Sequence, residues 1–347
     1  MTFFKTSALL TGLLLTTCAA QAAQYKYILV HGFQPSQLQD KPNPAQVVAD
    51  GEDYWRGFWL AHAHARLDWP SHERIQTKIA TDYLWPKLQQ LSRDNLCQTG
   101  CILVTHSTGD LVTRYLLDNQ ATWLRNAGLQ PLNIVATFDF AGAGGGSELA
   151  DVAINVADGK AGSVARAAVK AWLGYEPTRA NVGVLNDLQV NVARQLTPTP
   201  QNRIPRIRFV AGGSDYLNAT SPLLPGSDDG VVAAHSACGS ATAGSFGSCS
   251  KTVALSGKLG NQSDAVSAFW PNHLPFFMAA NYSHAELVEN RAEGAFTTAV
   301  NKVSYGAGSV TVQTYDEKAR WPFSGTYRYV QDSKNQSVSG YIQRVAF

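Results

Sequence analysis

"CILVTHSTGD", Cys101 to Asp110, is the stretch on which the reading of this chain turns. Its first residues form a short apolar run of the kind that makes a fully buried strand. From Gly109 the pattern becomes helical. Leu111, Val112, Tyr115 and Leu116 share a face, and Gly128 marks the stop. Ser107 therefore stands at a strand-to-helix turn, where an activated nucleophile is presented in the G-x-S-x-G elbow. Thr105 occupies the place of the first Gly, so the motif alone does not distinguish a nucleophile from a plain turn.

Working outward, "YKYILVHGF" (Tyr25–Phe33) reads as a first buried strand and "ARLDWP" (Ala65–Pro70) as a second. Ser71 sits where a helix N-cap belongs, ahead of an apolar face made by Ile75, Ile79, Leu84, Leu88 and Leu91, with Pro86 bending that helix. "NIVATFDF" (Asn133–Phe140) and "RIRFVAG" (Arg206–Gly212) are further strands. Strands alternating with helices give an α/β fold, a doubly wound, mostly parallel sheet. The Ala-rich helical stretch Glu148–Leu196, with "TPTPQNRIP" after it, is too long for a plain crossover. It is expected either as a cap-like insertion (148–205) or as extra packing helices. After about residue 290, "GSVTVQTY", "GTYRYV" and "SVSGYIQRVAF" alternate like antiparallel strands, so 291–347 is read as a small C-terminal β extension to a domain spanning 23–290.

Composition narrows the class. The 347 residues are 45% hydrophobic with a net charge of +2, which suits a packed globular protein and argues against nucleic acid as a partner. The N-terminus carries one Lys, an apolar run from Ala8 to Leu15, and Ala20-Gln21-Ala22, which fits an A-x-A cleavage site. Residues 1–22 are thus expected to be a signal peptide, and the product secreted or periplasmic. "LTTC", ending at Cys18, loosely resembles a lipoprotein box, but Thr17 is a poor residue before the Cys. Cleavage removes Cys18 from the five cysteines and leaves four, in two close pairs: Cys97 with Cys101, and Cys238 with Cys249. Three connectivities are open. The two local bridges are the easiest to close, and a metal reading is weak at these spacings.

A serine nucleophile needs a base, a carboxylate to orient it, and donors for an oxyanion. In a doubly wound sheet the chain order is Ser, acid, His. Among the eight His, that leaves His235, His273 and His284. His106 points the wrong way on a tight turn. His284, in the polar turn "NYSHAEL", is the favoured base. His273 is next, in an apolar context suited to the wall of a site, and His235 is too close to the acid. "GSDDGVV" offers Asp228 and Asp229 at a D-G turn beyond a strand, and Asp229 is the favoured acid, with Asp139 and Asp215 in reserve. The oxyanion donors are expected to be the backbone N–H groups of Thr108 and Phe33.

In order, "YILVHGF", "VTHSTGDLVTRYLL", "GGGSELAD", "GSDDGVV" and "NYSHAELV" resemble the oxyanion loop, nucleophile elbow, following G-S-x-x-A-D run, acid turn and His loop of the α/β-hydrolase superfamily, and within it the secreted bacterial lipases and esterases. The resemblance spans about Tyr25 to Glu289. It implies a Ser107–His284–Asp229 triad, an acyl-enzyme, and an ester or lipid substrate met in transient contact with a lipid surface. No organic cofactor is implied. Many such lipases hold a structural calcium, whose ligands the sequence does not place. Three departures stand out: Thr105 for the first elbow Gly, Asp110 for the second Gly of H-S-x-G-G, and "FDFAGAG" where T-P-H is usual. "EDYWRGFWL", "SPLLPG" and "FWPNHLPFFM" are candidates to line an acyl pocket. On exposed surface the Trp and Phe segments would instead suit a polyester depolymerase. A hydrolase fold that has lost activity and only binds is the non-enzymatic alternative.

Overall fold

A computed structural model describes residues 25–198, 203–319 and 324–346. The expected signal peptide lies outside the described residues. Seven strands form one sheet in the order β2-β1-β3-β4-β5-β6-β7. They are β1 (Lys26–Val30), β2 (Ala65–Leu67), β3 (Cys101–His106), β4 (Ile134–Phe140), β5 (Arg206–Ala211), β6 (His273–Ala279) and β7 (Thr297–Thr298). All neighbours run parallel except β6 and β7. This is the doubly wound, mostly parallel sheet of an α/β fold. The chain enters at β1, steps outward to β2, then crosses to β3 and moves steadily the other way. The reversal between β1 and β3 is the switch point outside which ligands gather in open α/β sheets.

β1 and β3 are mostly apolar on both faces because both faces are covered, whereas β4 and β5 turn Thr137, Asp139, Arg206 and Arg208 to one of them. On one face, Ile28, Val30 and Leu103 pack with Leu111 and Leu116 of the elbow helix (Gly109–Asn126). The stretch Glu148–Leu196 adds Leu149, Val169, Trp172 and Leu185 to the same core. On the other face, Leu29, Val104, Phe138 and Phe209 meet residues from the end of the chain, among them Val303, Tyr305, Tyr341 and Ile342. Two antiparallel hairpins supply part of this cover: β8 (Lys302–Tyr305) with β9 (Gly308–Thr311), and β10 (Thr314–Lys318) with β11 (Thr326–Val330).

Three expectations are corrected. Ser71 is not a helix N-cap. Its hydroxyl accepts the Gln34 N–H at 2.9 Å, and the helical stretch begins at Ile75, whose N–H is capped from a distance by Asp187 at 2.8 Å. That stretch is a wide π-type turn series to Leu84, continued as an α-helix over Trp85–Arg93, with Pro86 at the junction where no N–H is needed. "SVSGYIQRVAF" is a helix from Val338 to Val345, not a strand, and Ser337 caps it by accepting the Gly340 N–H at 2.9 Å. "FWPNHLPFFM", a candidate pocket lining, contains β6, the strand beside the antiparallel edge strand β7, and buries Trp270, Phe276 and Phe277.

The described cysteines form Cys97–Cys101 and Cys238–Cys249. Among the described residues no helix is long and apolar enough to cross a membrane.

Candidate active site

Ser107 leaves β3 in a left-handed backbone conformation, φ +56°. For a residue with a side chain this costs on the order of 1–3 kcal/mol. The turn is held by what surrounds it. The Ser107 N–H donates to the Phe140 carbonyl at 3.0 Å, and the Ser107 carbonyl accepts the N–H groups of Asp110 (3.1 Å) and Ala143 (2.9 Å). The helix that follows crosses β1 so closely that a Cβ on Gly109 would lie 2.3 Å from the Val30 carbonyl oxygen. A Cβ on Gly32 would come within 2.8 Å of the Ser107 Cβ. These two glycines let the first-strand loop and the elbow share one small space.

Asp229 follows β5, His284 follows β6, and the structure brings them together. His284 Nδ1 and Asp229 Oδ2 are 2.9 Å apart, and the His284 backbone N–H donates to the Asp229 carbonyl at 3.1 Å. The other carboxylate oxygen of Asp229 accepts the N–H groups of Val231 (3.0 Å) and Val232 (2.7 Å). The acid is thus fully buried, with both carboxylate oxygens engaged. The His284 ring lies 4.8 Å, centroid to centroid, from that of His106, the residue before Ser107. With Nδ1 engaged by the carboxylate, Nε2 is the nitrogen left for proton transfer.

The first-strand loop is fastened from behind. His31 accepts the Trp69 N–H on Nε2 at 3.0 Å, donates from Nδ1 to the Gly32 carbonyl at 2.8 Å, and stacks on Trp69. Burial lowers its pKa to about 4, so the imidazole is neutral at physiological pH and purely structural. Among the described residues, neither the Phe33 N–H nor the Thr108 N–H finds an acceptor in the chain. The buried Thr108 hydroxyl also has none. The Thr108 N–H stands at the first turn of the elbow helix, where N–H groups have no partner within the helix, and Phe33 is only half-buried, so both donors stay open to a bound group.

Beneath the elbow lies a buried ionic cluster that sequence reasoning missed. Asp110 accepts Arg206 Nη2 on Oδ1 (2.5 Å), and Arg208 Nη2 (2.8 Å) and the Gly144 N–H (2.7 Å) on Oδ2. Asp139 accepts the Thr105 hydroxyl and the Thr137 hydroxyl, each at 2.8 Å, and Arg206 Nε at 3.1 Å. All four charged side chains are fully buried. Burial pushes the Asp110 pKa up, but Arg208 and Arg206 more than offset it and hold the carboxyl well below its usual range. The three departures from the lipase pattern are therefore one unit: Thr105, Asp110 and the Asp139 of "FDFAGAG" are partners across β3, the elbow helix and β4. Asp110 standing where Gly is usual was one signal of it in the sequence.

The other candidates fall elsewhere. His273 sits in register with Arg206 at the amino end of β6, against Trp270 and the ionic cluster, and is not available as a base. His235 is fully buried between Glu148 (2.7 Å) and Arg194 (2.8 Å). Asp228 accepts the Ser221 hydroxyl and the Gly230 N–H, each at 2.8 Å, while Asp215 accepts the Ala285 N–H at 3.2 Å and so supports the His284 turn. Trp55, Trp59, Trp270, Phe276 and Phe277 are buried, so they form no exposed aromatic face. "EDYWRGFWL" does border a cavity of about 480 Å³, whose other walls include His106, Ala285 and Val288. Among the described residues no group of three or more His, Cys, Asp or Glu is placed to hold a metal ion, so no calcium site is assigned.

No protein-family model matches the chain, and no curated protein matches its sequence. Similar solved structures include a Bacillus licheniformis lipase in its mature form, at 18% identity and a TM-score of 0.41, with 62% of this chain and 79% of that one covered. A Staphylococcus hyicus lipase has 12% identity and a TM-score of 0.41, with coverage of 76% and 88%. A metagenomic carboxyl esterase has 15% identity and a TM-score of 0.36, with coverage of 63% and 61%.

Proposed function

We propose that the protein is an exported carboxylic-ester hydrolase of the lipase or esterase type, with Ser107 as nucleophile, His284 as base and Asp229 as its orienting acid. The observation that supports this reading is the 2.9 Å Asp229–His284 contact, with the His284 ring 4.8 Å from that of His106, the residue before a Ser with φ +56°, and two backbone N–H groups without an acceptor among the described residues.

His284 Nε2 takes the Ser107 proton as Oγ attacks the ester carbonyl. Asp229 holds the Nδ1–H and stabilises the imidazolium that forms. The Phe33 and Thr108 N–H groups bind the oxyanion, each worth roughly 3 kcal/mol in the transition state. The alcohol leaves with the proton from His284, and an acyl-enzyme remains. Water activated by the same His284 then releases the acid. Both disulfides lie in the folded domain and suit an oxidising compartment.

The test is a fluorophosphonate probe alongside hydrolysis of short-chain p-nitrophenyl esters. The expected result is stoichiometric labelling, lost in Ser107→Ala together with turnover. A folded protein that labels elsewhere, or not at all, removes the catalytic reading. Comparing soluble esters, emulsified triglyceride and polyester film then ranks esterase, lipase and depolymerase activity.

A further inference from the structure

The Ser107–His284–Asp229 reading leaves unexplained why a half-buried tyrosine and a buried second histidine pack against its two loops. We propose that Tyr54 and His106 are positioning residues of the site, forming a relay that ties the loop presenting the Phe33 N–H to the loop presenting His284. The proposal rests on the triad reading.

The relay can be followed proton by proton. His106 Nε2 is 2.9 Å from the His284 backbone oxygen. A carbonyl only accepts, so Nε2 carries a hydrogen and donates it. Burial, with His284 nearby, lowers the His106 pKa to about 3, so at working pH the ring holds that one proton and Nδ1 is an acceptor. The Tyr54 hydroxyl is hydrogen-bonded to Nδ1 and must be the donor. Burial raises the Tyr54 pKa above its ordinary value, which keeps the hydroxyl protonated. At the other end the phenolic oxygen lies against Gly32, so closely that a Cβ on that residue would come 2.3 Å from it. The next N–H of the loop, that of Phe33, has no acceptor among the described residues.

The placement argues for more than packing. The relay begins beside the proposed oxyanion donor, runs through the residue preceding the nucleophile, and ends on the backbone of the proposed base. It meets one loop at Gly32, bonds to the backbone of the other at His284, and both of its side chains line the 480 Å³ cavity. Tyr54 comes from the last turn of the helix Pro44–Tyr54, far in sequence from everything it aligns.

The experiment uses the full chain with a short-chain p-nitrophenyl ester and the fluorophosphonate probe. Tyr54→Phe is expected to lower kcat by about tenfold or more with KM within about twofold, because a misplaced donor is felt in the transition state and not in ground-state binding. Labelling still reaches one probe per chain, more slowly. His106→Gln, which keeps a donor for the His284 carbonyl, is expected to retain more activity than His106→Leu at matched melting temperature. Should Tyr54→Phe fail to fold, this pair decides. A folded Tyr54→Phe with wild-type kcat overturns the relay. So do His106→Gln and His106→Leu variants that lose activity only in step with stability. A wild-type protein that the probe does not label sinks the triad and the relay with it, whereas a labelled wild type with an indifferent Tyr54→Phe sinks the relay alone.

Discussion

Asp229 and Asp139 are both fully buried carboxylates near the same turn, and they are built for opposite purposes. Asp139 is met by two hydroxyls and two guanidinium groups, Arg206 at 3.1 Å and Arg208 at 3.5 Å, both permanent cations, so its charge is neutralised whatever happens around it. Asp229 is met by two backbone N–H groups and an imidazole. Among the described residues its only cationic partner is one that becomes charged on accepting a proton. The lesson is that a buried acid's role is read from whether its counter-charge is fixed or conditional, more than from its burial. On the proposed mechanism the conditional one earns its energy during turnover, and the fixed one holds the elbow in place.

The largest effect expected from this contrast is on activity. Asp229→Asn keeps the shape but removes the charge that stabilises an imidazolium, and kcat should fall by about 10⁴-fold while the melting temperature changes little. Asp139→Asn should do the reverse. It leaves Arg206 short of its counter-charge in a dry site, costing about 3–5 kcal/mol of stability, while the folded fraction turns over near the wild-type rate. Denaturant titration beside steady-state kinetics on both variants separates the two. If Asp139→Asn lost turnover and kept its stability, the roles assigned here would be exchanged.

Much of this was legible in the sequence, and the failures have physical causes. The strands β1, β3, β4 and β5 are short apolar runs, and their chain order with Asp229 and His284 pointed to the triad. β6 was hidden because Pro275 sits inside it, and proline cannot donate to a ladder. The structure resolves this with a bulge. Arg208 pairs with Pro275, the next pair is Phe209 with Phe277, and the register shift lies at the proline. The C-terminal helix was hidden because Val338, Tyr341, Ile342 and Val345 keep a helical spacing inside a segment that also alternates. The ionic cluster was half visible. Arg206 and Arg208, two apart in a strand, must share a face, but nothing local says that this face is buried against Asp110 and Asp139. Tyr54 could not be paired with His106 by any local rule, since fifty-two positions separate them.

Acid offers a second way to test the contrast, because each region keeps a buried neutral imidazole. Burial lowers His106 to a pKa of about 3 at the site, and lowers His273 well below its ordinary value beside the arginines. His31, at about 4, adds a third. The unfolded chain binds a proton on each near pH 6.5 and the folded chain does not until far lower. Their contribution to stability is therefore complete above about pH 6.5 and is lost as the pH falls toward the folded-state values. The melting temperature should drop steadily from pH 6.5 to about 4, before most carboxylates titrate. A flat profile over that window would mean that these rings are not held neutral.

The smallest effect belongs to Thr105, and it is the sharpest test of where the site ends. Thr105 is two residues from the nucleophile and stands where lipases of this pattern usually carry Gly, so a sequence-based view assigns it to the elbow. The structure assigns it to Asp139, which accepts its hydroxyl at 2.8 Å. Removing the hydroxyl and methyl in Thr105→Ala deletes one hydrogen bond to a charged acceptor and opens little space, so the expected cost is about 1.5–3 kcal/mol of stability. Because Asp139 keeps Thr137 and Arg206, the cluster survives and kcat should be unchanged. The same change in an Asp139→Asn background should cost less, since the acceptor is then neutral, and a double-mutant cycle between the two positions measures that difference. Additive costs would place Thr105 with the elbow after all, and a loss of kcat in Thr105→Ala would move the boundary of the catalytic unit down into the cluster.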